Sequence, residues 1–147
     1  MNDTPPKSSA FLSPADLPRL KAQGLSVPAY ARAGLKPGVV HLGLGAFHRA
    51  HQALVFDRLL ASGDTRWGIF GVAMRSTQLA DALAAQQGLY ALQIASRDGV
   101  AWQVAGALLQ TAVAAREPEQ VFAAIAAPAT RWVTLTVTEK GYVPALA

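Results

Sequence analysis

The run Val39-Val40-His41-Leu42-Gly43-Leu44-Gly45-Ala46-Phe47-His48-Arg49-Ala50-His51-Gln52-Ala53 limits what this chain can fold into more than any other segment. Its apolar, β-branched start reads as a strand buried on both faces. It then passes through Gly43-Leu44-Gly45 into a helical apolar period without a break. A strand, a glycine turn and a helix N-terminus in that order make a place for a phosphate. Unpaired N–H groups and the positive end of the helix dipole face the ligand, and glycines let it come close. The helix is expected from about Phe47 to Ala61. Ala50, Ala53, Leu54, Val55, Phe56, Leu59 and Leu60 form its buried side, and His48, Arg49, His51, Gln52, Asp57 and Arg58 the remainder.

The rest of the chain repeats that alternation. Trp67 to Met74 is a second strand-type run, and Arg75-Ser76-Thr77 leads into a helix with Leu79, Ala80, Leu83 and Ala84 on one face. Gly88 stands where a helix cap belongs. Strand, helix, strand, helix is the pattern of βαβ units, so the fold class is α/β with a mostly parallel sheet. Upstream, Ser13-Pro14-Ala15-Asp16 is a helix-start signature, with Gly24 as the stop. Ser26 to Gly38 reads as an irregular lead-in. Downstream, Tyr90 to Ile94 alternates like a half-buried strand, Arg97-Asp98-Gly99 is a hairpin turn, and Trp102 to Leu109 pairs back. Pro118 opens a short helix with Val121, Phe122 and Ile125 inward. Arg131 to Thr138 is expected as a further core strand that delivers Glu139 and Lys140 at its end.

Composition enters mainly as exclusion. A chain of 147 residues that is 52% apolar can bury one domain's core. Its 13 basic residues are scattered singly, which reads as solubility and not as a nucleic-acid footprint. The absence of cysteine removes disulfides, thiolate metal sites and a cysteine nucleophile, and favours an intracellular protein. The N-terminal segment lacks the order of a secretory signal, and no window nears the roughly 20 apolar residues of a membrane span. A cytoplasmic protein is the expectation.

Four groups of residues could carry chemistry. Gly43-x-Gly45 before a helix fits a dinucleotide fingerprint, but the third small position holds His48, so a tight turn without a ligand stays open. His41, His48 and His51 invite a metal, since His48 and His51 are three apart on a helix. Two histidines at a helix start rarely meet a metal's need for three or four ligands. Polar contact with a phosphate or substrate, or ordinary capping, is preferred. At the second strand's end, NAD would call for an acidic residue on the ribose 2′-hydroxyl. Met74-Arg75-Ser76 instead suits a 2′-phosphate, or merely starts the helix. Glu139 and Lys140 could form an acid/base pair, although a solvated charge pair is the commoner case.

The residues then cease to be anonymous. Gly43 to Ala53 closely resembles the N-terminal fingerprint of the mannitol dehydrogenase family, the long-chain, metal-independent polyol and hexuronate dehydrogenases. Gly71-Val72-Ala73-Met74-Arg75-Ser76, Gln87-Gly88-Leu89-Tyr90 and Leu135 to Tyr142 are similar to further family blocks in the same order. The resemblance runs from about Leu12 to Tyr142 and accounts for a histidine at position 48. It implies a Rossmann-like domain that binds NAD, with NADP as the alternative, ahead of a mostly helical catalytic domain. Such a domain holds a lysine base with asparagine and histidine helpers, and none of it is in this chain, so no catalytic residue is assigned and Lys140 is not that lysine.

By the same resemblance Gly43, Gly45, Ala46 and Phe47 cradle the pyrophosphate, with His41, His48 and Arg49 beside it. Arg75 lies near the adenosine ribose, and Glu139 and Lys140 near the nicotinamide end. Two departures stand out: Thr77-Gln78, where NAD-dependent members often carry acidic residues, and the tail after Tyr142. The expected organisation is a tail and lead-in helix over 1–37 and a partial dinucleotide-binding domain over 38–147. An incomplete chain of this kind would lack turnover alone. The alternative is a self-sufficient nucleotide-binding or regulatory module.

Overall fold

A computed structural model describes residues 11–137. At its start Ser13 and Asp16 form the reciprocal capping box that their spacing predicts, around a 3-10 turn over Pro14–Asp16. This leads into α1 (Leu17–Ala22). Gly24 follows in the left-handed region at φ 88°.

The first strand, β1 (Pro37–Leu42), is buried from Gly38 to His41. After the glycine turn comes a π-helical turn over His48–Gln52, continued by α2 (Ala53–Ala61). Next are β2 (Gly68–Ala73), buried along its whole length, and α3 (Thr77–Ala85). The strands β3 (Tyr90–Ser96) and β4 (Gly99–Ala105) form an antiparallel hairpin. The chain closes with β5 (Leu108–Val113), α4 (Pro118–Ala126) and β6 (Trp132–Leu135).

Four strands form a parallel sheet in the order β5-β2-β1-β6. The chain builds outward from β1 through β2 to β5, then returns to the other side of β1 as β6. Such a reversal leaves a crevice at the carboxyl ends of the two strands flanking it, here β1 and β6. Successive residues of β1 serve opposite faces, as a pleated strand requires. Val39 joins Phe56, Leu60, Ile69 and Leu83, whereas Val40 joins Phe70, Val72, Ala112 and Val121. Helices α2 and α3 therefore cover one face and α4 the other.

Five expectations need correction. The segment Trp102 to Leu109 is not one strand. Its first part pairs with β3, and after Gly106-Ala107 the chain joins the parallel sheet as β5. Phe122 is 65% exposed and Ile125 is also outward, because α4 meets the sheet through Val121 alone among its fully buried residues. Val55 and Ala84 likewise face outward on α2 and α3. Asp57, expected on the polar side of its helix, is buried. The strand β6 is an edge and not a core strand, with Trp132, Val133 and Leu135 all exposed. Trp132 still packs its ring edge-on against Trp67 at 5.2 Å.

The lead-in is part of this body. Ser26 joins the hairpin through bonds to and from Trp102 and Val104 (3.1 and 2.7 Å). Asp57 accepts from the Tyr30 hydroxyl and from the Gly106 N–H at 2.9 Å. Arg32 donates to the carbonyls of Gly106 and Leu108, each at 2.8 Å, and to that of Gln87. Burial, then Asp57, pushes the Tyr30 phenol well above its usual range. This network clamps the place where the chain leaves the hairpin for the sheet.

Candidate functional site

The register of the sheet sets His41 of β1 opposite Thr134 of β6, at the mouth of the crevice. The His41 Nδ1 lies 2.8 Å from the Thr134 hydroxyl, and Nε2 lies 3.2 Å from the Gly43 carbonyl and 3.1 Å from the Thr136 hydroxyl. A carbonyl can only accept, so Nε2 carries the proton and Nδ1 accepts from Thr134. Burial lowers the His41 pKa, which keeps the ring neutral. One imidazole thus ties both strands to the glycine turn.

The turn is built around that anchor. Gly43 takes φ 108°, a conformation that L side chains rarely adopt. The N–H groups of Gly43 and Leu44 donate to the Val72 carbonyl at 2.9 and 3.2 Å, and the Gly45 N–H donates to Gly43 at 2.6 Å. Among the described residues, no backbone or side-chain acceptor outside the helix meets the N–H groups of Ala46, Phe47 or His48. A Cβ at Gly45 would find no heavy atom closer than Gly43 O at 3.9 Å, and φ there is not positive. Nothing among the described residues requires glycine at position 45. Its missing side chain leaves open space in front of free N–H groups, which is the requirement of a close-lying anion.

His48 occupies the third position of the fingerprint and is 1% exposed. Its ring stacks on His41 with centroids 3.6 Å apart and planes 9° from parallel. Nδ1 donates to the Gln52 Oε1 at 2.8 Å, and Nε2 has no partner among the described residues. Burial, reinforced by His41 and Arg49, pushes its pKa down to about 4. The first helical turn is widened to the π form over His48–Gln52, a distortion frequent at functional sites. His48 and His51 therefore do not share a face, as a regular α-helix would have them do. His48 points into the body, and His51 is exposed against Phe47 with centroids 4.8 Å apart.

Other expected site residues are dispersed. Phe47 is exposed and lines a cavity of about 390 Å³ with His41, His48, Gln52, Leu135, Thr136 and Val137. Arg49 does not line it. Its guanidinium lies 5.9 Å from the Tyr90 ring centre, and its carbonyl accepts from the Tyr90 hydroxyl at 2.8 Å. Burial raises the Tyr90 pKa. Arg75 is exposed just past the end of β2 and makes no ion pair among the described residues. The next carboxylate, Asp81, is held by Arg116 at 2.7 Å. Glu139 and Lys140 lie outside the described residues.

Thr134, Thr136, Gln52 and Tyr90 escaped the reading from sequence. Gln52 was findable four residues after His48, and the two threonines by their period of two. No group of three or more His, Cys, Asp or Glu among the described residues could hold a metal. No helix there is long and apolar enough to cross a membrane.

A parallel half-sheet reversing at a glycine turn, with free helix-start N–H groups in the crevice, defines a Rossmann-like domain. Residues 37–146 match the family model described as the mannitol dehydrogenase Rossmann domain. The chain belongs to the mannitol dehydrogenase family. It is 41% identical over 123 residues to a mannitol 2-dehydrogenase of Pyrenophora tritici-repentis, covering 82% of this chain and 22% of the relative. The solved ternary complex of Pseudomonas fluorescens mannitol 2-dehydrogenase with NAD and D-mannitol superposes with a TM-score of 0.82 at 35% identity. That match covers 90% of this chain and 27% of the solved one. A substrate-free D-sorbitol dehydrogenase gives a TM-score of 0.78 at 34% identity, over 90% and 28% of the two chains. The chain thus spans about a quarter of the length of the relatives it matches.

Proposed function

We propose that this chain supplies the dinucleotide-binding portion of a polyol or hexuronate dehydrogenase. It takes NAD, with NADP as the alternative, and the whole enzyme moves hydride between a sugar alcohol and its ketose. The observation that carries this reading is the open cradle at Gly43 to His48. Its N–H groups have no protein acceptor among the described residues, and its second glycine has no steric need to be one. Membership of the family and likeness to an NAD complex support the same ligand.

When bound, the nicotinamide supplies the hydride acceptor or donor. This chain's residues bind and orient. Gly43 shapes the turn, and Gly45, Ala46 and Phe47 cradle the pyrophosphate. His41 and His48 hold the cradle from below. Arg75 stands at the adenosine-ribose end, and Glu139 and Lys140 belong to the nicotinamide end. We assign no catalytic residue among the described ones. Arg49 supports the cradle through Tyr90, since its side chain turns toward that ring. The dinucleotide-binding portion is assigned to 38–147, with a tail and lead-in over 1–37 ahead of it, and the reacting groups are supplied by a separate catalytic domain as in a longer enzyme.

Calorimetric titration with NAD, NADP and ADP-ribose tests the binding. Saturable binding of all three, lost in Gly45→Val, is expected; no binding to a chain with a cooperative melt would overturn the reading. Mixing the chain with NADH and fructose or fructuronate should give no oxidation, and turnover would favour a self-sufficient enzyme.

A further inference from the structure

We propose that the His41–His48 stack is the positioning device of the phosphate cradle, replacing with a ring the close packing that a third glycine provides elsewhere. This rests on the dinucleotide reading above. In the ordinary fingerprint the third glycine lets the helix lie tightly against the strand. Here the position holds an imidazole, and His48 is almost wholly buried. The helix is widened to the π form over His48–Gln52, and the ring lies flat against His41.

The partner ring is fixed on three sides, by Thr134, Thr136 and the Gly43 carbonyl. That carbonyl also receives the Gly45 N–H. A continuous chain of contacts therefore runs from β6 through His41 to the turn, and from His41 through His48 to the first helical turn. Its free end is the row of N–H groups at Ala46, Phe47 and His48. Stacking uses the ring's face and requires nothing of Nε2, which has no partner among the described residues. The hydrogen bond to Gln52 sets the ring's rotation and little more.

The test separates the ring from its nitrogen atoms. His48→Phe keeps a flat ring of similar size, His48→Ala removes it, and His48→Gly restores the ordinary fingerprint. Binding of NAD and of adenosine is followed by NMR through the amide signals of Ala46 and Phe47, with melting curves recorded for every variant. NAD affinity should fall at least tenfold in His48→Ala and stay within threefold in His48→Phe, with adenosine affinity the same in all. The glycine variant should follow alanine, because the π turn has no ring to fill it. Equal NAD binding by the wild type and His48→Ala would overturn the proposal, as would a loss shared equally by adenosine. A cooperatively melting His48→Phe that binds as weakly as His48→Ala would also overturn it, and would give the nitrogen a direct contact. A wild-type chain that melts cooperatively but binds no NAD would overturn the dinucleotide reading itself, and this proposal with it.

Discussion

Two buried polar clusters hold this domain together, and they differ in what they leave unsatisfied. At the hairpin junction Asp57 accepts from Tyr30 and the Gly106 N–H, and Arg32 donates to the carbonyls of Gly106, Leu108 and Gln87. At the crevice the His41 ring is used at both nitrogens, while His48 Nε2 and the N–H groups of Ala46 and Phe47 find no partner among the described residues outside the helix. The N–H groups of the exposed Ala46 and Phe47 are open to solvent, whereas leaving the buried His48 Nε2 unmet costs about 1–3 kcal/mol. The closed network is spent inside the fold, and the open one presents the helix-start N–H groups that we propose receive the pyrophosphate.

The largest effect should come from breaking the closed cluster. Asp57→Ala strands the Gly106 N–H and the Tyr30 hydroxyl, and should lower unfolding stability in urea by about 3 kcal/mol. Since the crevice shares none of these partners, NAD affinity of the folded fraction should stay within about twofold.

Acid should act on the other cluster. The folded pKa of His48 is about 4, below its unfolded value of 6.5, so the unfolded chain binds more protons between those values. Stability present above pH 6.5 is therefore lost as pH falls toward 4, by about 3 kcal/mol. His48→Phe should flatten that part of the curve. Urea titrations of both proteins from pH 7 to 4 check it, and parallel slopes would show that the stack does not suppress protonation.

A pair of glycines sharpens the contrast further. A Cβ at Gly106 would lie 2.6 Å from the Pro28 ring, so Gly106→Ala should cost about 1–3 kcal/mol and leave affinity intact. Gly45→Ala meets open space and should move stability by less than about 0.5 kcal/mol. It should nonetheless weaken NAD binding tenfold or more, about 1.4 kcal/mol. If both substitutions shifted only the melt, the crevice would be structural too.

The smallest effect belongs to Arg75. It is exposed and makes no ion pair among the described residues, so Arg75→Ala should leave the melting curve unchanged. NADP should lose about threefold to tenfold in affinity and NAD less, because a phosphate gains more from a guanidinium than a hydroxyl does. Equal loss of the two cofactors would remove Arg75 from the ribose end.

Much of the fold was legible because it is local. The capping box at Ser13, the strand–turn–helix at Val39 to Ala53, and the Asp98-Gly99 hairpin each follow from residues a few positions apart. Facing was less legible. Phe122 has the hydrophobicity of a core residue but lies on a side of α4 that none of the described elements covers. The split at Gly106 was hidden because the strand-type pattern continues through a break imposed by Tyr30, Arg32 and Asp57, far away in sequence.

The glycine turn, the β-branched run before it and the helix period after it were determined by sequence alone, because steric and dipolar requirements at a strand–helix junction act between neighbours. The tertiary structure decided what His48 does. An imidazole in place of the third glycine looks like a flaw until β6 returns beside β1 and brings Thr134 and Thr136 around His41. Only then is there a fixed ring for His48 to stack on, and a reason for the helix to open by one residue at its start. That arrangement depends on contacts more than 90 residues apart, which no local pattern can report.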